Sequence, residues 1–297
     1  MAEGRRRMDG GGHGRITHYH HRDALGEWTL ATCEPHPALR GAIQALWYGE
    51  GQISYQRDRI LPSLNAYLLI NLGPPQYQIL PGPPEQRVPF RDIWFSGLHQ
   101  RPIDTEAPHG NALLGIALHP AGLRPWLSAD LRHTGDQVLP LSDLLGDGVL
   151  ALREALLNRR DLVERFDCVQ HWLLQRWRAQ RQIDPALQQL LRHIEGSAGQ
   201  LRLEAAAEAL GLSRKHLSRR CLEQTGMTPK ALARICRFRA AVSWLQRQDR
   251  VPWTDLALRC GYADQAHLIR DFRHFSGLTP GEFLRHAQPD SGSIVIR

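Results

Sequence analysis

The sequence contains no long hydrophobic run. Its longest apolar stretches, such as residues 113–118, are far shorter than the roughly 18 to 20 residues that a helix needs to cross a bilayer. The first residues are rich in Gly, Arg and His, and they lack the apolar segment of a secretory signal. We therefore expect a chain that does not enter a membrane and that stays in the cytoplasm.

Cysteine is scarce as well, and the five cysteines are scattered without any Cys-x-x-Cys pair. This pattern excludes a disulfide framework and a zinc site built from cysteine pairs. His18, His20 and His21 lie close together, but carboxylate or cysteine partners at ligand spacing are missing. A Gly-x-Ser-x-Gly nucleophile motif is also missing. We therefore expect no metal, no cofactor and no catalytic residue, and we do not expect an enzyme.

The composition that is present is globular, with 42% hydrophobic and 23% charged residues. At roughly 100 to 200 residues per domain, a length of 297 residues favours two domains. The formal net charge of +7 is distributed unevenly, because residues 1–180 hold 19 basic and 19 acidic residues whereas residues 181–297 hold 18 and 11. This asymmetry predicts that only the second part of the chain meets a polyanion.

The spacing of breaker residues indicates how the chain is organised. Prolines are so frequent up to residue 141 that only short strands fit between them. The strand candidates are residues 42–48, 66–71, 92–95 and 112–118, which we interpret as part of a sandwich or barrel, and residues 161–177 show helical spacing. We predict a disordered tail (1–22), a mainly β domain with closing helices (23–180), a helical domain (183–288) and a C-terminal tail (289–297).

The helical domain contains a repeat. Glycines at 211 and 261 are followed by the helix-capping residues Ser213 and Asp264, and each copy ends in Gly-x-Thr-Pro. Each copy therefore predicts a short helix, a glycine turn and a second, capped helix. This is a helix-turn-helix motif present twice, and the overall fold class expected is α+β.

The second helix of each copy is expected to read DNA. At 100° per residue, Leu217 and Leu268 face the core, and the opposite face carries side chains that hydrogen-bond base edges or touch a thymine methyl group. The predicted DNA-binding residues, including flanking positions suited to phosphates, are Arg214, Lys215, Ser218, Arg219, Arg220, Gln265, Ala266, Ile269, Arg270 and Arg273. The alternative is a solvated basic face, which an outward Ile269 fits poorly.

The helical domain resembles the DNA-binding domain of AraC/XylS-family bacterial transcription regulators. The resemblance rests on residues 237–245, which match the linker helix of that family, and on residues 261–275 with Gly277-Leu-Thr-Pro280, which match its signature. It departs from the family at Cys221, where an aromatic is usual, and at Trp253. The resemblance implies seven helices, with one rigid helix placing two recognition helices in successive major grooves.

The first domain resembles, through residues 60–73, 95–98 and 114–122, an uncharacterised cupin-like domain that often precedes this module. By that resemblance it senses a small molecule or mediates self-association. Two alternatives stay open, namely an enzyme fused to a DNA-binding module and a scaffold that only dimerises. Double-stranded DNA is the expected partner, and RNA polymerase, a small-molecule effector and a second copy of the chain are further candidates.

Overall fold

The computed structural model describes residues 6–8, 15–108, 110–127, 130–177, 183–247, 252–286, 288 and 292–296. The chain forms a mainly β domain followed by an all-helical domain, so the predicted α+β organisation is confirmed. Within the described residues, no helix combines the length and the apolar character needed to span a membrane.

The β domain consists of two sheets. Its strands are β1 (Arg6–Met8), β2 (Ile16–Asp23), β3 (Gly26–Cys33), β4 (Ile43–Ile53), β5 (Arg57–Ile60), β6 (Ala66–Asn71), β7 (Gln76–Leu80), β8 (Gln86–Phe90), β9 (Ile93–Ser96), β10 (Ile103–Glu106), β11 (Gly110–Leu118), β12 (Val138–Pro140) and β13 (Ser293–Ile296). The larger sheet has the order β1-β2-β3-β4-β11-β6-β9-β12, and the smaller sheet has the order β13-β5-β10-β7-β8. All pairings between these strands are antiparallel.

The four predicted strand segments are confirmed, since each falls within or overlaps β4, β6, β9 or β11. One face of the larger sheet contributes most of the buried apolar side chains of the domain and carries four helices: α1 (Leu123–Trp126), α2 (Leu141–Leu145), α3 (Leu150–Leu157) and α4 (Leu162–Arg176). Helix α4 begins after Asp161, whose carboxylate accepts hydrogen bonds from the amides of Val163 and Glu164. Its Arg165 guanidinium lies 5.0 Å from the ring of Tyr48 on β4, which places the helix on that face.

Both predicted tails need correction. Residues 16–22, assigned to a disordered tail, belong to β2, which pairs with β3 along its whole length. Residues 293–296, assigned to the C-terminal tail, form β13 on the edge of the smaller sheet, where Ile294 is fully buried. Strands β2 and β13 are stabilised by backbone hydrogen bonds to a partner strand, and the composition of a segment does not show whether such a partner is present. Residues 1–5 and 9–14, residues 178–182 at the predicted domain boundary, and residues 289–291 and 297 lie outside the described residues.

The other face of the larger sheet is turned towards the smaller sheet. Trp47, Gly115, Leu69 and Trp94 form a cross-strand row on β4, β11, β6 and β9. Trp94 contacts Phe90 of the smaller sheet with ring centroids 5.4 Å apart. The side chains of Trp47, Leu69 and Trp94 are only half-buried, so this face of the larger sheet stays partly accessible to solvent.

Gly115 is required beneath Trp47. A Cβ at this position would overlap the indole ring of Trp47, whereas a Cβ at Gly110 on the same strand would meet nothing within 4 Å. We expect Gly115→Ala to lower the free energy of unfolding by about 1 to 3 kcal/mol, because the indole must leave its place. Urea denaturation would measure this, with Gly110→Ala as the control. Equal stability of the two variants would show that the indole moves at no cost.

Candidate nucleic-acid interface

The helical domain comprises seven helices within the described residues, as the resemblance implies. They are α5 (Pro185–Gly196), α6 (Leu203–Ala209), α7 (Arg214–Thr225), α8 (Pro229–Leu245), α9 (Trp253–Arg259), α10 (Gln265–Ser276) and α11 (Pro280–Phe283). Helices α6 and α7 form the first helix-turn-helix unit, and α9 and α10 form the second. Helix α8 connects the two units.

The two units share the same local determinants. Ala207 and Ala257, on the first helix of each unit, are buried, and such small side chains allow the paired helices to approach closely. The turns at Gly211 and Gly261 have φ values of 63° and 73°, in the left-handed region that favours glycine. The predicted caps are confirmed, because the Ser213 hydroxyl accepts from the amide of His216 and Asp264 accepts from the amide of His267.

The two second helices also end alike. Gly226 and Gly277 stand at the C-terminal ends of α7 and α10 with φ values of 78° and 77°. A residue in this conformation reverses the chain and satisfies the last carbonyl groups of the helix. Both copies then begin the next helix with a capping threonine and a proline at its first position.

The predicted residues of α7 fall into two groups. Arg214, Lys215 and Arg219 are exposed, and Ser218 is half-buried beside them. Leu217 and Cys221 are buried on the opposite side, as the helical angles predict. Arg220 differs from the first group, because its Nε donates to the carboxylate of Asp184.

The predicted residues of α10 all lie on one accessible side. Gln265, Ala266, Arg270 and Arg273 are exposed, and Ile269 is half-buried among them. Leu268 and Phe272 are buried on the other side. The two helices thus present equivalent outer faces, each containing exposed arginine side chains next to small or apolar side chains.

The exposed arginines of α7 form only surface ion pairs. Arg214 lies 2.6 Å from Glu204, and Arg219 lies 3.9 Å from Glu223. The arginine side chains of both pairs are about two-thirds exposed, and such pairs contribute about 0 to 1 kcal/mol. Both guanidinium groups can therefore exchange these partners for phosphate or base oxygens at little cost.

Asp184 holds α7 in place from the interior side of the helical domain. Its carboxylate caps α5 and also accepts hydrogen bonds from Arg220 and Gln224 on α7. Burial acts to raise the pKa of Asp184, but the hydrogen bonds from Gln224 and Arg220 outweigh burial and hold the pKa below its ordinary value. The Asp184–Arg220 pair therefore joins α5 to the side of α7 that faces the domain interior.

A second anchor positions α10 and was missed by the sequence reasoning. Arg234 on α8 donates to the buried carboxylate of Asp271 on α10 over 2.8 Å. Phe238 on α8 packs against Phe272 and Phe275, with ring centroids 5.0 and 5.1 Å away. The available signal was a charged residue, Asp271, in the otherwise apolar stripe of α10, since a charge on such a stripe requires a partner.

The described residues contain no group of three or more His, Cys, Asp or Glu side chains arranged to hold a metal ion. None of the five cysteines, all within the described residues, forms a disulfide, and four of them are buried. Burial raises the pKa of the Cys33 thiol to about 11 and that of Cys221 to about 12. These two thiols stay protonated at neutral pH, and a protonated thiol is a poor nucleophile.

Removal of the Arg234 side chain tests the second anchor. We expect Arg234→Met to destabilise the helical domain by about 3 kcal/mol, because it leaves the Asp271 carboxylate buried without its cation. Lys230→Met, which removes an exposed charge from the same helix, should change stability by less than about 0.5 kcal/mol. Chemical denaturation followed by circular dichroism at 222 nm, the usual helix signal, measures both. Similar stabilities would mean that the aromatic packing alone holds α10.

Comparison with known proteins finds similarities in both parts of the chain. Residues 206–286 match the family model described as "Helix-turn-helix domain", and residues 31–140 match a domain of unknown function, DUF6597. The HTH-type transcriptional activator RhaS of Escherichia coli strain SE11 is 34% identical over 83 residues, which cover 28% of this chain and 30% of that protein. RhaS of Citrobacter koseri is 35% identical over 91 residues, which cover 30% of this chain and 32% of that protein.

The matched part thus spans about a third of the length of these curated relatives. Among solved structures, ToxT from Vibrio cholerae aligns with 82% of this chain and 98% of its own chain, at 13% identity and a TM-score of 0.44. The C-terminal domain of AraT from Geobacillus stearothermophilus aligns with 34% of this chain and 85% of its own, at 26% identity and a TM-score of 0.32.

Proposed function

We propose that this chain, whose C-terminal domain is an AraC-type helix-turn-helix domain, is a transcription regulator that binds specific DNA sequences. One observation carries the proposal: two equivalent helices, α7 and α10, expose basic outer faces on the same domain. A bacterial regulator of this kind acts in the cytoplasm on the chromosome and is not an enzyme.

The separation of the two units supports reading of one DNA face. Helix α8 has 17 residues, and at 1.5 Å per residue it spans about 26 Å. Successive major grooves on one face of B-DNA repeat about every 34 Å, so two helices beyond the ends of α8 are spaced to enter neighbouring grooves. A single chain would then read two half-sites.

The side chains divide by the contacts that their chemistry allows. Arg219 and Arg270, at equivalent positions of the two helices, would donate bidentate hydrogen bonds to guanine. Lys215 and Arg273 would reach guanine or phosphate, and Ile269 would contact a thymine methyl group. Arg214 and Gln265 are proposed to contact phosphates or neighbouring bases. Ser218 and Ala266 are proposed to contact bases directly. Arg220 is proposed to hold α7 in place through Asp184.

The β domain is proposed to sense a small molecule. The support is the layer between its two sheets, where the apolar side chains of Trp47, Leu69 and Trp94 remain partly accessible to solvent. Trp126 does not contribute to this layer, because it is buried against Trp172 with ring centroids 5.1 Å apart. Self-association through the same domain and contact with RNA polymerase belong to the same proposal.

The base-reading role of the two arginines is tested by substitution. We expect Arg219→Ala and Arg270→Ala each to weaken binding to the specific site by about 1 to 3 kcal/mol, and to weaken binding to random DNA less. Fluorescence anisotropy with a duplex selected from a random library, and with a scrambled duplex, measures both affinities. Wild-type affinity should also fall steeply with salt, because phosphate neutralisation releases counterions.

Arg160→Ala is the matched control, since Arg160 is an exposed arginine of the first domain. Equal losses of affinity for the specific and the scrambled duplex would show that Arg219 and Arg270 contact phosphates and not bases. No loss on either duplex would remove α7 and α10 from the groove, and failure of the wild-type chain to select any sequence would refute the proposed function.

The sensing role predicts that an apolar small molecule entering the intersheet layer changes the environment of Trp47 and Trp94. Screening compounds for a raised melting temperature of the full chain, followed by tryptophan fluorescence titration, measures this. The variant Leu69→Trp, which places a larger side chain in this layer, should reduce the response to any stabilising compound. A response that persists unchanged in this variant would place the ligand elsewhere.

A further inference from the structure

The β domain contacts both helix-turn-helix units at the same structural position. Each contact involves the glycine that ends a recognition helix, Gly226 in the first unit and Gly277 in the second. These glycines are equivalent residues of the repeat, yet they meet unrelated parts of the β domain. A shared point of contact on two repeats indicates that the β domain holds the recognition helices as a pair.

The first contact is formed by the short 3₁₀ helix Leu131–His133 and the turn that follows it. A Cβ on Gly226 would lie 2.6 Å from the carbonyl oxygen of Leu131, and a Cβ on Gly135 would lie 2.7 Å from the carbonyl oxygen of Gly226. Backbone therefore packs on backbone, and only glycine fits on either side. The pKa of Arg132 is raised, first by its hydrogen bond to Asp130 and to a smaller degree by the charge of Glu223 in the last turn of α7.

The second contact is formed by Arg59 on β5. Its Nη1 donates to the carbonyl oxygen of Ser276 over 3.2 Å, at the end of α10, and a Cβ on Gly277 would overlap the same nitrogen. The Arg59 guanidinium is fixed in turn by Asp104 on β10, which accepts from Nε at 2.7 Å and from Nη2 at 2.8 Å. Strand β13, which comes from beyond the helical domain, pairs with β5 on its other side.

The two contacts leave the DNA-reading faces accessible. Lys215, Arg219, Arg270 and Arg273 are all exposed while the β domain is docked. In helix-turn-helix proteins the N-terminal residues of the recognition helix contact base edges, and both contacts of the β domain lie at the opposite end. The docked arrangement is therefore compatible with a bound duplex.

We propose that the β domain is a brace that sets the separation and relative rotation of the two recognition helices, in addition to helix α8. This inference rests on the proposed DNA-binding function and specifies how the chain measures the distance between its half-sites. Arg59, Gly135, Gly226 and Gly277 are positioning residues in this arrangement. A change in the smaller sheet of the β domain reaches α10 directly through Arg59.

A substitution at Gly135 disrupts the first contact, and the same substitution at Gly148 is a matched control. Among the described residues that are not its chain neighbours, only Gly226 lies within 4 Å of a Cβ on Gly135, so the Cβ of Gly135→Val crowds the helical domain rather than the β domain. Gly148→Val makes the same change in the β domain where the Cβ meets nothing within 4 Å. Neither glycine has a left-handed φ, so valine is accommodated by the backbone at both positions.

The experiment measures tolerance to half-site spacing. The probe is a duplex of about 40 base pairs, selected from a random library by the wild-type chain and then remade with one base pair inserted between the two contacted segments. The insertion rotates one half-site by about 35°. We expect it to weaken wild-type and Gly148→Val binding about tenfold, and to weaken Gly135→Val and Arg59→Lys binding no more than about threefold.

Equal spacing penalties in Gly135→Val and Gly148→Val would overturn the brace. A second measurement separates this result from a failure of the proposed function, because amide hydrogen exchange needs no DNA. In the free protein, Gly135→Val should accelerate exchange at residues 222–227 at least about fivefold relative to Gly148→Val, since the docked turn protects them. Unchanged exchange there would overturn the docking contact even if no duplex were selected.

Discussion

The packing of helix α8 against α10 is the interaction on which the proposed reading of DNA depends. A buried carboxylate at Asp271, paired with Arg234, fixes the rotation of α10, while Phe238 fills the space beside Phe272 and Phe275. Aromatic packing alone tolerates small rotations, whereas a hydrogen-bonded ion pair in a buried setting has one favourable geometry. The combination gives the second recognition helix a defined direction relative to the first.

The first recognition helix is fixed by different means to the same effect. Asp184 caps α5 and at the same time binds two side chains of α7, so one carboxylate orients both helices. In both units the polar anchor lies on the inner side of the recognition helix, and the arginines on the outer side of α7 form only weak surface ion pairs. The strong interactions thus lie on the inner side, where they fix the position of the recognition helix. The weak ion pairs lie on the outer side, where the arginines can exchange them for contacts to DNA.

The sequence predicted the helix-turn-helix repeat well because its determinants are local. Capping residues such as Ser213 and Asp264, and glycines such as Gly226, specify helix ends within a few residues, and the structure confirms them. The inner partner of Arg220 and the pairing of Arg234 with Asp271 could not be predicted, because helical angles show which side a residue faces but not what lies there. The DNA contacts themselves stay a prediction.

The strands at the two ends of the chain were missed for a related reason. The His-rich stretch of β2 does not have the composition of a typical strand, and it is held by a hairpin with the next strand, β3. Strand β13 is only four residues long, and it pairs with β5, which lies far earlier in the sequence. Their existence is a property of the assembled sheets rather than of the segments.

Strand β13 affects the order in which the two domains can finish folding during synthesis. It lies at the edge of a sheet whose other strands precede residue 107, with the whole helical domain in between. During synthesis the smaller sheet therefore waits for residues 293–296, and the β5 edge stays open while the helical domain folds. A fragment ending before residue 292 would keep that edge exposed for pairing with other chains. The β domain therefore completes its folding only after the helical domain has been synthesised.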